Sequence, residues 1–336
     1  MKNMIIASAI ASICIVSVNA QAKDKDIELF GILYIESGSV QEGNDAKNRS
    51  YTGDENGMGR IGVRGSYKLS DDLTLVGYAA WNMNMGDADD GNNNRLTITD
   101  RDHNIGFRGN FGEVRVGSFD GAYKATGGAK YDAFASTALQ ARGNGGMATG
   151  AFGTTSYFHN AMQYKTPDFN GFNATIQYSI DERDRSGAIK NYKGAYNVGL
   201  SYDFLDKYQV VASFNSVDTV NNGSKGNRKI GASAKFGSLT MMGQYEKVNL
   251  MGTSVRDLDI HFVGARYRVG PVMFVGQYGR VKDNDNSSRD ETYLAAGGRY
   301  FWDRRTSAYF GMKNTGFNDD NKKDLRTMMV SVRHNF

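Results

Sequence analysis

Along most of this chain, apolar and polar residues alternate one for one. In FNATIQYSID, Phe172, Ala174, Ile176, Tyr178 and Ile180 share one face, and Asn173, Thr175, Gln177, Ser179 and Asp181 share the other. RIGVRGSYKL sets Ile61, Val63, Tyr67 and Leu69 against Arg60, Arg64, Ser66 and Lys68. AYNVGLSYDF sets Tyr196, Val198, Leu200, Tyr202 and Phe204 against Asn197, Ser201 and Asp203. A period of two is the signature of a strand with two unlike faces. LTLVGYAAWNM, RKIGASAKF, SLTMMGQYE and VMFVGQYGR follow the same rule with more glycine and less contrast. The final segment, RTMMVSVRHNF, alternates Met328, Val330 and Val332 with Thr327, Ser331 and Arg333.

The connections alternate between short and long. Short ones fall near 69–72, 111–112, 166–171, 205–207, 237–238, 269–271 and 302–305. Both prolines, Pro167 and Pro271, lie in these turns, where no ladder hydrogen bond is lost. Long polar ones fall near 37–56, 84–102, 119–156, 182–192, 217–227, 247–257, 281–290 and 314–324. Seven short turns and eight long loops join about sixteen strands. This predicts an all-β transmembrane antiparallel barrel, with short periplasmic turns at one end and long extracellular loops at the other.

The physics of a bilayer accounts for the pattern. Every backbone N–H and C=O must be paired internally, so the sheet has to close. Closure sends alternate residues to lipid and to the lumen. Tyr67, Tyr164, Tyr202, Tyr267 and Tyr300 each precede a short turn, as a girdle of amphipathic rings at one interface would require. Phe336 would then end the closing strand against the first, DIELFGILYIE, leaving no exposed edge.

Composition narrows the picture further. The chain has 41 Gly, 19 Tyr and 18 Phe but 2 Pro, which suits many strands. Lys2, the apolar run MIIASAIASICIVSV and Ala20-Gln21-Ala22 predict a cleaved signal peptide over residues 1–22, leaving a barrel domain over 23–336. The single cysteine, Cys14, falls inside that segment, so no disulfide, thiolate nucleophile or Cys-ligated metal is expected beyond it. A net charge of +4 is too even to argue for nucleic acid.

With these segments in place, the chain resembles the trimeric sixteen-stranded general-diffusion porins of Gram-negative bacteria. DIELFGILYIESG is similar to the family's first strand, and RIGVRGSYKLSDDLTLVGYAAW to its second hairpin. IGFRGNFGEVRVGSFDGAY resembles the hairpin leading into the third loop. HNAMQYKTPDFNGFNATIQY resembles a further family segment, with Thr166 where Ser is usual, and VSVRHNF resembles the family's ending. The resemblance implies a third loop folded into the lumen, a homotrimer, an outer-membrane location and passive diffusion of small hydrophilic solutes. It also implies that Phe336 forms part of the signal read by the outer-membrane insertion machinery.

The third loop here is about 119–156. The resemblance implies that its acids, Asp120 and Asp132, face a basic cluster on the wall. By parity the inward bases nearby are Arg60, Arg64, Arg108 and Arg115. Opposed charges across a narrow opening would create a transverse field. Further inward bases include Lys165, Lys229, Lys235, Arg266, Arg268, Arg299 and Arg333, which predicts a slight anion preference. The alternative is a substrate-specific channel, for example for an oligosaccharide, but the inward aromatics Tyr78, Tyr293 and Tyr309 are few. GDADDGNNN and DNDNSSRD lack the spacing of a calcium loop and read as solvated loops able to bridge divalent ions to lipopolysaccharide. His103, His159, His261 and His334 form no zinc-spaced pair, and no G-x-S-x-G elbow occurs. No catalytic residue, resident metal or cofactor is expected.

Overall fold

A computed structural model describes residues 25–43, 48–54, 56–86, 96–148, 157–179, 192–219, 223–249 and 255–336. The proposed signal peptide and residues 87–94 of the first acidic loop lie outside them. The strand segments in chain order are β1 (Lys25–Glu42), β2 (Asn48–Gly53), β3 (Arg60–Ser70), β4 (Leu73–Met85), β5 (Leu96–Gly109), β6 (Gly112–Asp120), β7 (Tyr157–Lys165), β8 (Phe172–Ser179) and β9 (Tyr192–Phe204). They continue as β10 (Tyr208–Thr219), β11 (Gly223–Phe236), β12 (Leu239–Val248), β13 (Leu258–Val269), β14 (Val272–Asp283), β15 (Glu291–Phe301), β16 (Thr306–Phe317) and β17 (Leu325–Asn335).

These segments form one antiparallel sheet that closes on itself, with chain neighbours paired except β2 and β3. β2 and β3 are two halves of one barrel strand, because both pair with β1. Glu36–Gln41 oppose Gly53–Asn48, and Lys25–Ile32 oppose Tyr67–Arg60. The barrel therefore has sixteen strands. Between the halves, the Asp54 carboxylate accepts from the N–H of Met58 at 2.9 Å and of Gly59 at 2.6 Å, pinning the excursion. The expected loop at 37–56 is thus partly strand. All seven short turns stand where the alternation broke, whereas several long loops are shorter than predicted because polar strands carry the ladder past the apolar band.

The two faces are as unlike as the pattern requires. Ile27, Ile230 and Val330 on the outer face are at least 60% exposed, while inward Gln177, Asn215 and Glu246 are fully covered. Tyr67, Tyr202, Tyr267 and Tyr300 all project outward near the short turns.

Closure joins β1 to β17, from Ile32 opposite Asn335 to Glu42 opposite Leu325. Beyond that ladder, Gly31 N–H donates to Phe336 O at 3.0 Å and Phe336 N–H donates to Gly31 O at 3.1 Å. The Phe336 ring lies over Gly31 on the outer face. A Cβ at Gly31 would overlap that ring and sit 2.8 Å from the Arg60 carbonyl. Gly31→Val is expected to lower stability by about 1–3 kcal/mol through this overpacking. The check is the temperature at which the compact barrel band converts to the unfolded band on a gel.

Candidate functional site

The longest connection joins β6 to β7. Its described part, 121–148, runs along the inner wall past strands from β8 to β16 and reaches β1. Where such a loop packs against the wall its backbone groups need partners, and inward amides supply them. Gln177, Asn197, Gln244 and Gln277 accept from the N–H of Ala122, Tyr123, Gly128 and Ala133 at 2.8, 2.6, 2.8 and 3.1 Å. Further round, Glu36 accepts from Ala138 N–H at 3.1 Å and Tyr293 Oη donates to Leu139 O at 2.6 Å. Lys229 Nζ donates to Tyr123 O at 2.5 Å.

Apolar packing seals the contact. Tyr131, Phe134, Leu139, Ala141 and Met147 of the loop bury against inward Val211, Met242, Phe262, Val275, Tyr293 and Tyr309. This explains why strands around 230–280 alternate weakly: their inward face is apolar wherever the loop covers it. The short helix α1 (Ala122–Ala125) lies so close to β9 that a Cβ at Gly199 would sit 3.0 Å from Ala122 O.

A cavity of about 900 Å³ remains on the short-turn side of the loop, lined by Glu28, Arg64, Tyr78, Arg108, Arg115, Lys130 and Lys165 among others. Three expected bases face it, and each is paired on the wall. Arg64 grips Glu28 with Nε and Nη2 at 2.7 and 2.8 Å. Arg108 and Arg115 share Glu113, at 2.8 and 2.7 Å.

The fourth, Arg60, belongs to a different group. It lies within electrostatic reach of Arg101, Asp120, Tyr78 and Tyr157, and its buried Nε has no hydrogen-bond partner among the described residues. Asp120, at the end of β6, pairs with Lys124 Nζ at 2.6 Å and stands 4.0 Å from Arg101. Arg101 lies 3.7 Å from Asp102. Arg101 and Lys124 both sit over the Tyr157 ring, at 5.2 and 4.5 Å from its centroid. Arg142, held by the Gln140 side chain at 2.8 Å, reaches the same network from the loop. Burial pulls the Lys124 ammonium below the ordinary lysine value of 10.5, with Asp120 opposing.

This group thus gathers Arg60, Arg101, Lys124 and Arg142 around Asp102 and Asp120, with Asp132 acting on Arg142 from within the loop: four cations and three carboxylates. This departs from an acidic loop opposite a basic wall, because here the loop supplies bases. Asp132 does not reach the opening. Its carboxylate is buried within the loop, accepting from Phe134 N–H, Ala141 N–H and Gln277 Nε2 at 3.0, 2.8 and 2.9 Å. A loop crossing the lumen needs an internal acceptor for its own turn, and Asp132 fills that need.

Sequence reasoning placed Arg101 and Asp102 in a polar loop at 84–102, whereas they lie on β5, where the alternation breaks. Ala79 opposes His103 and Trp81 opposes Asp100, so Arg101 and Asp102 together oppose Ala80. This bulge turns both consecutive side chains inward, 6% and 8% exposed, where strict alternation allows one. The docking amides had a signal. Gln-Tyr occurs at 163–164, 177–178, 244–245 and 277–278, the last two preceded by Gly, with each Gln inward and each Tyr on the outer row. The second acidic loop is tied by ion pairs: Asp283 meets Arg256 at 2.7 Å and Arg289 at 3.7 Å.

Comparison with known proteins gives these shapes a family. A family model described as Gram-negative porin matches residues 7–321. Outer membrane porin protein 32 of Delftia acidovorans is 29% identical over 212 residues, 60% of this chain and 56% of that protein. Major outer membrane protein P.IB of Neisseria gonorrhoeae is 27% identical over 211 residues, 60% of this chain and 53% of its own. The matched regions thus span little over half the length of these two relatives. A monosaccharide porin from Halomonas is 25% identical over 294 residues, 79% of this chain and 76% of that protein. Among solved structures, an anion-selective porin from Comamonas acidovorans superposes with a TM-score of 0.76 at 22% identity, covering 93% of this chain and all of that one. A Salmonella typhi OmpF complex with daunomycin gives 0.72 at 16% identity, covering 92% and 97%.

Proposed function

This chain belongs to the Gram-negative porin family, and on that premise we propose that it forms a water-filled outer-membrane channel for passive diffusion of small hydrophilic solutes and ions, with a slight anion preference. The observation that carries the reading is the excess of cations over carboxylates where the inserted loop meets β3, β5 and β7. Fixed charge at a partly desolvated narrowing attracts the opposite ion and repels the like one. Arg64, Arg108 and Arg115 contribute less, because Glu28 and Glu113 offset two of their three charges. No bond is made or broken in this reading, and no cofactor takes part. A homotrimer in the outer membrane, contact with lipopolysaccharide and recognition of Phe336 by the insertion machinery belong to the same proposal. A sugar-specific channel is the less favoured reading. Tyr293 and Tyr309 are buried under the loop, and Tyr78 stacks on Phe30 at 5.2 Å.

The test is the reversal potential of the refolded protein in a planar bilayer across a KCl gradient. An anion sign at neutral pH supports the proposal; a folded barrel without conductance overturns it. Lys124 adds a pH signature. With its ammonium below the ordinary 10.5, Lys124 loses its positive charge on the alkaline side sooner than a free lysine would. The anion preference is therefore expected to fall before pH 10.5, and Lys124→Arg to remove that fall. Current block by a monosaccharide at low concentration would favour the sugar-specific reading.

A further inference from the structure

A second basic group stands apart from the narrowing, on the opposite wall near the short turns. Arg268 on β13, Met273 on β14, Arg299 on β15 and Tyr309 on β16 form one continuous row of the inner face. Arg333 on β17 joins it through its Nη1, 3.4 Å from Tyr309 Oη. Arg268 and Arg299 both stack on the Phe301 ring, each 4.5 Å from its centroid, and Arg299 also lies 4.7 Å from that of Tyr309.

This trio differs from every paired arginine on the near wall. Its Nε groups donate to neutral atoms: Arg268 Nε to Gly270 O at 3.3 Å, Arg299 Nε to Ser307 Oγ at 3.0 Å and Arg333 Nε to Asn335 Oδ1 at 3.0 Å. Among the described residues no carboxylate pairs with any of the three. Aromatic faces and the Nε bonds fix the guanidinium planes and leave Nη donors for the lumen. Sharing one ring keeps the Arg268 and Arg299 guanidinium carbons within about 9 Å. Planar forks held at that spacing suit oxyanions, which they meet with parallel N–H bonds.

We infer that Arg268, Arg299 and Arg333 form a binding site for a small oxyanion carrying two or more negative charges, at the short-turn mouth of the lumen. Phe301 and Tyr309 hold the forks in place. A chloride ion engages one fork at a time, whereas a multivalent oxyanion spans two. The site rests on the proposed channel only for access to the lumen.

Inorganic pyrophosphate is the probe, titrated by calorimetry into the refolded barrel in detergent at low salt. Binding at one site per chain is expected, weakened at least tenfold by Arg299→Gln and similarly by Arg268→Gln, the second variant serving if the first does not fold. Lys68→Gln changes a base at the same end that pairs with Asp71 at 2.7 Å, and is expected to leave affinity within twofold. Equal weakening in Lys68→Gln and the arginine variants would mean diffuse attraction and overturn the site. So would unchanged binding in both arginine variants, or no binding to a folded barrel. Because binding is read without current, failure to conduct and failure to bind are separate results.

Discussion

Replacing Arg60 and Arg142 together with glutamate is expected to turn the reversal potential from anion to cation sign. The exchange leaves Arg101 and Lys124 facing Asp102, Asp120 and two new carboxylates. A unit charge about 4 Å from a passing ion is worth about 1 kcal/mol even in water-like dielectric. Two reversals therefore shift anion against cation by well over the ~1.4 kcal/mol of a tenfold ratio. Salt screens the effect, so the change should be largest in dilute KCl. The same exchange at Arg64 and Arg108 should do much less, since each already shares its field with a wall carboxylate. A sign that stays anionic in the double variant would move control of selectivity away from the narrowing.

That contrast between arginines marks how far the sequence could be read. Alternation separated the two faces of the barrel correctly, because lipid imposes a rule on every second side chain from one end of the chain to the other. It also placed the short turns, where the rule is interrupted. Which inward arginine is paired was invisible, since Glu28 finds Arg64 and Glu113 finds Arg108 across strands, while Arg115 meets Glu113 along its own strand. Asp132 looked like a pore acid because it sits in the right loop. Only the folded loop reveals that two backbone N–H groups and Gln277 claim its carboxylate. Arg101 was lost because 84–102 reads as a polar loop, and the bulge opposite Ala80 breaks the alternation that would have marked a strand there.

The second large effect concerns that clasp. Asp132→Ala leaves the Phe134 and Ala141 N–H groups and the Gln277 amide without their acceptor. A buried donor left unmade costs about 1–3 kcal/mol, and bonds to a charged acceptor stand at the upper end. The loop should therefore loosen from the wall while the barrel, held by its own ladder, stays closed. Expected results are larger and noisier single-channel steps, together with proteolytic cleavage within 127–147 at an unchanged barrel melting temperature. Quiet steps of unchanged size would show that the apolar seal around Phe134, Leu139 and Tyr293 holds the loop by itself.

The bulge in β5 has a consequence for how such a barrel can change over generations. Loss of one residue at 101–102 would restore regular alternation opposite Ala80 and keep the strand count, the turns and the closing seam. It would delete one lumen charge in the same event. At this point in the chain a single-codon deletion acts as a change of filter rather than a frame of damage, so selectivity can be retuned by length alone.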